Sequence, residues 1–186
     1  MIRTSFALLS FLLLLACGET TPSSSTTDNS SPTEQTNTST YKAPCESVSN
    51  EKVGAVFGWA DVQSTADELM DGRVQACTYY YPAGNDGLVL RLDYANEYAR
   101  TNQFYENTYQ KYLAEGQDDF SYQTLSGGPG DETLIGYAFK YRKHNYLLRS
   151  RKGNELELIV DASFMEVQDE EQLQAQLLEL ANEMTK

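Results

Sequence analysis

The feature that most constrains folding is a long segment without large apolar side chains near the start of the chain. Residues 18–43 are dominated by Ser, Thr, Asn and Pro, and Tyr41 is the only large apolar residue among them. Such a segment cannot bury enough apolar surface to offset the conformational entropy lost on ordering. We therefore expect a disordered Ser/Thr-rich tether at 17–43 and one globular domain at 44–186, a length typical of a single domain.

An apolar run precedes this tether. It begins after Arg3, extends from Ser5 to Ala16 and is followed by Cys17. Its length suits the apolar region of a signal peptide and is too short for a transmembrane helix, which needs about 20 residues. We therefore expect a signal peptide at residues 1–16.

The end of the apolar run resembles the lipobox of bacterial lipoproteins. The motif is Leu14-Leu15-Ala16-Cys17, with a small residue at the cleavage position. The resemblance implies that the Cys17 thiol carries a diacylglycerol and that the peptide is cut before it, so that the protein binds the membrane through this lipid. An ordinary secretory signal with an incidental cysteine is the alternative.

The residue after Cys17 bears on localisation. Gly18 stands there rather than Asp, which by resemblance to the enterobacterial sorting rule favours the outer membrane. A domain anchored there faces either the periplasm or the exterior, and the sequence is consistent with both. We expect a lipid-anchored protein of the bacterial cell envelope.

The chain is strongly acidic, which bears on its partners. It has 27 Asp and Glu residues against 14 Lys and Arg, a net charge of −13. This balance argues against nucleic-acid binding and against adhesion to anionic lipid. Acidity promotes solubility, and it is also compatible with a cationic partner such as an enzyme that the domain inhibits.

Two cysteines, Cys45 and Cys77, follow the lipobox. Exported proteins fold in oxidising compartments, so this pair is most simply a disulfide. His144 is the only histidine, and no Cys-x-x-Cys or His-x-x-x-His spacing occurs. We therefore expect no metal site.

Hydrophobic periodicity predicts an α+β domain of the order α-β-β-α-β-β-β-α. The predicted elements are helices at 50–58, at 96–114 and from Asp169, a hairpin of strands at 73–81 and 88–94, and strands at 134–143, 146–152 and 155–162. The stretch 59–72 is ambiguous, with a turn of helix at 66–70 as one interpretation, and 120–124 is consistent with a further short strand. Connections of this kind indicate an antiparallel sheet with helices packed on one face.

Four tyrosines of the predicted central helix fall on one helical face: Tyr98, Tyr105, Tyr109 and Tyr112. Such a stripe more often packs on a sheet, with the hydroxyl groups reaching its edge, than it stacks on a sugar or a base. We therefore expect it to be structural.

These features resemble a loose class of secreted bacterial lipoprotein domains, the extracytoplasmic sensor-like domains known from actinobacterial lipoproteins. The shared features are Pro44-Cys45, a helix to Gly58, Cys77-Thr78-Tyr79, the segment 128–132 and an amphipathic C-terminal helix. The resemblance implies that Cys45 pairs with Cys77 and that the sheet is antiparallel. It implies no catalytic residues.

The sequence contains little that indicates catalysis. The glycine-rich turn at 126–132 lacks the ending of a phosphate loop, and no Gly-x-Ser-x-Gly elbow occurs. We place His144 in a solvated turn, and we interpret Asp118-Asp119 and Asp131-Glu132 as loop acids rather than glycosidase carboxylates. The chain is therefore predicted to be a non-enzyme without a cofactor.

Half of the basic residues after residue 43 lie on one predicted hairpin: Lys140, Arg142, Lys143, Arg149, Arg151 and Lys152. This cluster could bind an anionic small ligand or an acidic envelope protein. In the alternative interpretation, Arg149 and Arg151 pair with Glu155 and Glu157 across neighbouring strands.

The function that best fits these patterns is a lipid-anchored, non-enzymatic binding or sensor-like module of the cell envelope. The alternatives are an envelope hydrolase, an inhibitor of a cationic envelope or secreted enzyme, and a structural envelope protein. A hydrolase requires a concave site that collects two carboxylates, or His144 beside a nucleophile.

Overall fold

Seven strands form one sheet in the computed structural model, which describes residues 41–83, 87–165 and 169–186. The strands are β1 (Gln63–Leu69), β2 (Val74–Tyr80), β3 (Gly87–Tyr94), β4 (Ser121–Thr124), β5 (Glu132–Lys140), β6 (Lys143–Lys152) and β7 (Leu156–Met165). Their order across the sheet is β1-β2-β3-β7-β6-β5-β4, and every neighbouring pair is antiparallel. The predicted α+β class with an antiparallel sheet is confirmed. The predicted signal peptide, Cys17 and the tether up to residue 40 lie outside the described residues.

The described helices begin and end at residues suited to those positions. They are α1 (Pro44–Ser47), α2 (Asn50–Phe57), α3 (Glu97–Thr101), α4 (Phe104–Glu115) and α5 (Glu170–Glu183). The side chains of Ser49 and Asp169 accept hydrogen bonds from backbone N–H groups in the first turns of α2 and α5. Gly58 ends α2 in the left-handed conformation, as predicted. Within the described ranges, no helix combines the length and apolarity needed to cross a membrane.

One face of the sheet, here called the apolar face, carries the main core. Because side chains alternate along a strand, Leu88, Leu90 and Leu92 project to the same side. Cross-strand pairing places Leu90 beside Val160 and Val160 beside Leu148, and these side chains are fully buried. Helices α1, α2 and α5 contribute to the covering layer, and the predicted stripe of α5 is buried in it: Leu173, Leu177, Leu180 and Met184.

The opposite face, here called the tyrosine face, is covered by α4, so the prediction that the helices pack on one face is wrong. Leu134 and Ile159 project to this side and are also buried, which means that the sheet needs cover on both faces. The ring of Tyr109 on α4 provides part of this cover and is fully buried. The Tyr105 hydroxyl donates a hydrogen bond to the backbone carbonyl of Asp93 on β3 at 3.0 Å.

Two segments differ from their predicted structure. Residues 63–69 form β1, which pairs with β2, although every residue of β1 is exposed and no apolar periodicity marks it. The predicted central helix is divided into α3 and α4, because Gln103 adopts a left-handed φ of 51°. The tyrosine stripe is therefore divided as well, with Tyr98 69% exposed on α3. The short strand considered at 120–124 is β4.

The β5–β6 hairpin turns earlier than predicted. Its turn is formed by Tyr141 and Arg142, which have left-handed φ values of 55° and 63°. Two-residue hairpin turns of this kind need positive φ at both central positions. Lys140 consequently pairs with Lys143, and Phe139 pairs with His144. His144 is a strand residue of β6, and its predicted place in a solvated turn is wrong.

The predicted disulfide between Cys45 and Cys77 is present and joins α1 to β2, with the two Cα atoms 5.1 Å apart. Beside it, the buried Tyr79 hydroxyl donates a hydrogen bond to the Val48 carbonyl at 2.6 Å. Tyr41, which falls within the predicted tether, also packs against this core. The disulfide and the hydrogen bond therefore fasten the N-terminal helices to the apolar face, and the packed domain includes residues before 44.

Removing the disulfide should lower the free energy of unfolding substantially. The bridge spans 32 residues, and in the chain-entropy model a loop of this size corresponds to about 3–4 kcal/mol. Urea unfolding of the Cys45→Ala/Cys77→Ala variant measures the difference. Wild-type protein in reductant is the matched control and should unfold at a similarly low urea concentration. A double variant as stable as the oxidised wild type would contradict the prediction.

Candidate functional site

The six basic residues of the predicted patch do not converge on one site. Lys140, Arg142 and Lys143 lie at the tip of the β5–β6 hairpin. Arg149 and Arg151 project from β6 onto the tyrosine face, and Lys152 lies at the far end of the strand beside Tyr41. A single anionic ligand therefore cannot contact all six side chains in this arrangement.

Arg149 forms a buried ion pair with Glu157 of β7. The guanidinium nitrogen and the carboxylate oxygen are 2.8 Å apart, and the two side chains are 12% and 6% exposed. Burial opposes the charge of Arg149, but the Glu157 carboxylate outweighs it and raises the pKa of the guanidinium. The alternative interpretation paired Arg149 and Arg151 with Glu155 and Glu157, and the structure shows this for Arg149 with Glu157.

Aromatic rings cover this ion pair. The Arg149 guanidinium lies 5.0 Å from the ring centre of Tyr112 on α4, and Tyr112 stacks on Tyr122 of β4 with ring centres 5.1 Å apart. Gly136, opposite Tyr122 in the β4–β5 pair, leaves room for this ring, because a Cβ there would lie 2.5 Å from it. The rings exclude water from the pair and add cation–π attraction.

Arg151 pairs with a different acid from the one predicted. Its Nε atom lies 2.9 Å from the Glu132 carboxylate of β5, and the predicted partners were Glu155 and Glu157. Arg151 lies opposite Glu132 on one side and opposite Glu157 on the other. Because Glu157 already binds Arg149, Glu132 provides the carboxylate. Glu155 instead forms an exposed ion pair with Arg100 of α3.

The remaining cations with described contacts also have local partners. Lys140 contacts the Asp118 carbonyl, lies 3.5 Å from the Asp119 carboxylate and faces the Phe120 ring. Lys152 donates a hydrogen bond to the Tyr41 hydroxyl at 2.6 Å. These contacts distribute the basic charge among local interactions on three parts of the surface.

Three exposed aromatic side chains, which the charge pattern did not indicate, lie on β5 and its turn. Tyr137, Phe139 and Tyr141 are 36%, 59% and 85% exposed, and we call them the aromatic row. Tyr137 and Phe139 project to the same side of β5 because they are two residues apart. The signal in the sequence was the repeat of aromatic residues at every second position between Tyr137 and Tyr141.

His144 is part of the support of this row. Its ring lies 5.2 Å from Phe139 and 5.9 Å from Tyr137, measured between ring centres. The Tyr137 hydroxyl and the Nδ1 atom of His144 are 3.2 Å apart, within hydrogen-bond distance. The described contacts of His144 are therefore with aromatic neighbours, which position the ring beside the row.

The acidic pair Asp118-Asp119 lies at an exposed turn with left-handed φ values of 51° and 70°. The turn borders an open groove of about 720 Å³ that also receives Lys111 and Glu115 from α4. Across the described ranges, no group of three or more His, Cys, Asp or Glu side chains is arranged to hold a metal ion.

Breaking the buried ion pair should destabilise the domain far more than breaking the exposed one. Glu157→Gln leaves the Arg149 charge buried without its partner, and the expected loss is about 3 kcal/mol. The control Glu155→Gln removes an exposed partner of Arg100 and should change stability by less than about 1 kcal/mol. Urea unfolding compares the variants. Equal effects at the two positions would contradict a buried role for Glu157.

The domain should lose stability in alkaline solution. Burial raises the pKa of six tyrosines. The pKa of Tyr146 rises to about 12, and burial also raises the pKa of the other five: Tyr79, Tyr105, Tyr109, Tyr112 and Tyr122. Unfolded tyrosines ionise near pH ~10. Above that pH the folded state holds more protons than the unfolded state, so stability falls as pH rises, and below it these groups have no effect.

Tyrosinate absorbance and circular dichroism, followed together against pH, test this expectation. Exposed tyrosines should ionise first, and the six tyrosines with raised pKa values should ionise in the same step in which secondary structure is lost. A titration in which all tyrosines ionise near pH ~10 while the fold persists would contradict it.

No family model, curated protein or solved structure matches this chain. No residue role is therefore transferred from a relative, and the functional residues are identified by their position and contacts in this chain.

Proposed function

We propose that the mature protein is a lipid-anchored binding module of the bacterial cell envelope, without catalytic activity. The lipobox at Leu14-Leu15-Ala16-Cys17 supports the anchor, and Gly18 supports an outer-membrane location. The Cys45–Cys77 disulfide is the bond expected of a domain that folds in an oxidising, exported compartment. The Gly18 argument depends on the lipobox, whereas the disulfide is a separate observation, and all three features agree with an envelope protein.

The aromatic row is the observation that carries the binding function. Contiguous exposed apolar side chains on a small domain mark interaction sites, and aromatic residues provide much of the binding energy at such sites. The row stands on a hairpin whose second strand, β6, is also paired with β7. Tyr137 and Phe139 therefore project from a paired strand, so little backbone entropy is lost there when a ligand binds.

The chemistry around the row favours binding over catalysis. His144 contacts aromatic neighbours rather than a nucleophile paired with an acid. Cys45 and Cys77 are joined to each other, so neither offers a thiolate. Asp119, one of the paired acids, has a side chain that is 86% exposed, whereas a carboxyl group that acts as a general acid is typically buried.

The anchor is tested by substituting the lipidated cysteine. Cys17→Ala in the full chain should abolish labelling by a radioactive or clickable fatty acid, because no thiol remains for the diacylglycerol. The Cys45→Ala/Cys77→Ala variant is the matched control and should be labelled like the wild type. Undiminished labelling of Cys17→Ala would overturn the anchor.

The binding surface is tested in a secreted form, in which a cleavable signal peptide replaces residues 1–17, so that retention does not depend on lipid. We expect this form to bind washed cell envelopes, and Phe139→Ala/Tyr141→Ala to reduce the bound fraction at least about fivefold. Tyr98→Ala/Phe104→Ala is the control, because it removes exposed aromatic rings of α3 and α4. Equal retention of the row variant and the wild type would overturn the proposal.

A further inference from the structure

We infer that a pocket beside the aromatic row binds one sugar ring, which makes the ligand of this protein a glycan. The inference rests on the proposed binding function. The pocket has a volume of about 230 Å³. Its walls combine aromatic rings with amide and carboxylate groups, contributed by Ser121, Tyr122, Gln123, Ile135, Tyr137, Tyr146, Glu170 and Gln174.

Two tyrosines form the aromatic wall of this pocket. Tyr137 and Tyr146 lie opposite each other on β5 and β6, with ring centres 5.1 Å apart and planes inclined by 48°. Tyr146 is 2% exposed and fixed in the core, whereas Tyr137 is 36% exposed. A pyranose presents a face of C–H groups that packs on such rings, because the negative face of an aromatic ring attracts weakly positive hydrogens.

The polar wall of the pocket suits hydroxyl groups. Gln174 and Glu170 lie one turn apart on α5, with the amide nitrogen 3.4 Å from the carboxylate oxygen, and Gln123 contributes a second amide from β4. Amides both donate and accept hydrogen bonds, and the carboxylate accepts them. Neighbouring hydroxyl groups of a sugar, each a donor and an acceptor, match this set.

The Tyr146 hydroxyl remains a neutral hydrogen-bond donor at physiological pH. Burial, followed by the Glu170 and Tyr137 groups, raises its pKa to about 12. An ionised phenol could only accept hydrogen bonds, and it would repel the Glu170 carboxylate. The protonated form keeps the pocket free of a second negative charge and suits an uncharged ring.

The size and position of the pocket restrict the ligand further. The volume is below the range of about 300–1,000 Å³ typical of pockets that enclose drug-sized molecules, so it suits one ring rather than an oligosaccharide. Tyr137 belongs to both the pocket and the aromatic row. Additional sugar rings of a chain can therefore continue along Phe139 and Tyr141 while one ring occupies the pocket.

Saturation-transfer NMR on the mature lipidated protein, in a detergent without a sugar headgroup, tests the inference. The probes are neutral oligosaccharides of glucose and of N-acetylglucosamine. We expect saturation to reach the ring C–H protons of at least one probe. Tyr137→Ala should weaken its binding about tenfold, and Tyr137→Phe should keep it within about twofold because the ring face remains.

Variants that touch only one of the two surfaces separate this inference from the proposed function. Gln174→Ala changes the pocket and should weaken sugar binding about fivefold, whereas Tyr98→Ala on α3 should leave it unchanged. Absence of saturation transfer with every probe, or wild-type affinity of Tyr137→Ala, would overturn the glycan inference. Envelope retention that still depends on Phe139 and Tyr141 would then leave the binding function standing with another class of ligand.

Discussion

The ion pair between Arg149 and Glu157 is the interaction on which the tyrosine face depends. A carboxylate that is 6% exposed would be strongly destabilising without a partner, and the partner is held in place by the stacked rings of Tyr112 and Tyr122. Those rings fix α4 and β4 against the central strands. The pair thus links β6, β7, α4 and β4. Because the two charges neutralise each other, both faces of the sheet can be covered although charged side chains lie between the sheet and α4.

The same sheet leaves one aromatic region exposed. Helix α5 packs on the apolar face, and Glu170 and Gln174 of its first turns border the pocket beside Tyr146. Beyond them, Tyr137, Phe139 and the hairpin turn remain exposed. Aromatic side chains at the end of a paired hairpin are suited to recognition because the backbone that carries them is ordered before a ligand arrives. The proposed tether and lipid would hold this surface near the membrane that carries it.

Much of the fold could be predicted because its signals are local. The leucines of β3 alternate, the leucines of α5 recur with the helical period, and two cysteines remain after Cys17. The strand β1 and the break at Gln103 gave no such signal, since β1 is exposed on both faces and the break depends on one backbone conformation. The proposed binding surface could be predicted only in part: the charge pattern indicated the hairpin through its cations, whereas its aromatic side chains are the ones left exposed.

The sequence by itself determined which residues share a face on β3 and α5, the cysteine pair and the acidic character of the chain, because these depend on spacing and composition. Only the tertiary structure decided which acid binds which arginine. The β5–β6 turn at Tyr141 and Arg142 sets the register that places Arg151 opposite Glu132, and the β6–β7 turn sets the register that places it opposite Glu157. The tertiary structure also placed α4 on the second face of the sheet and brought Tyr137, Tyr146 and Gln174 together. These contacts join distant segments, so they depend on strand register and helix packing rather than on periodicity.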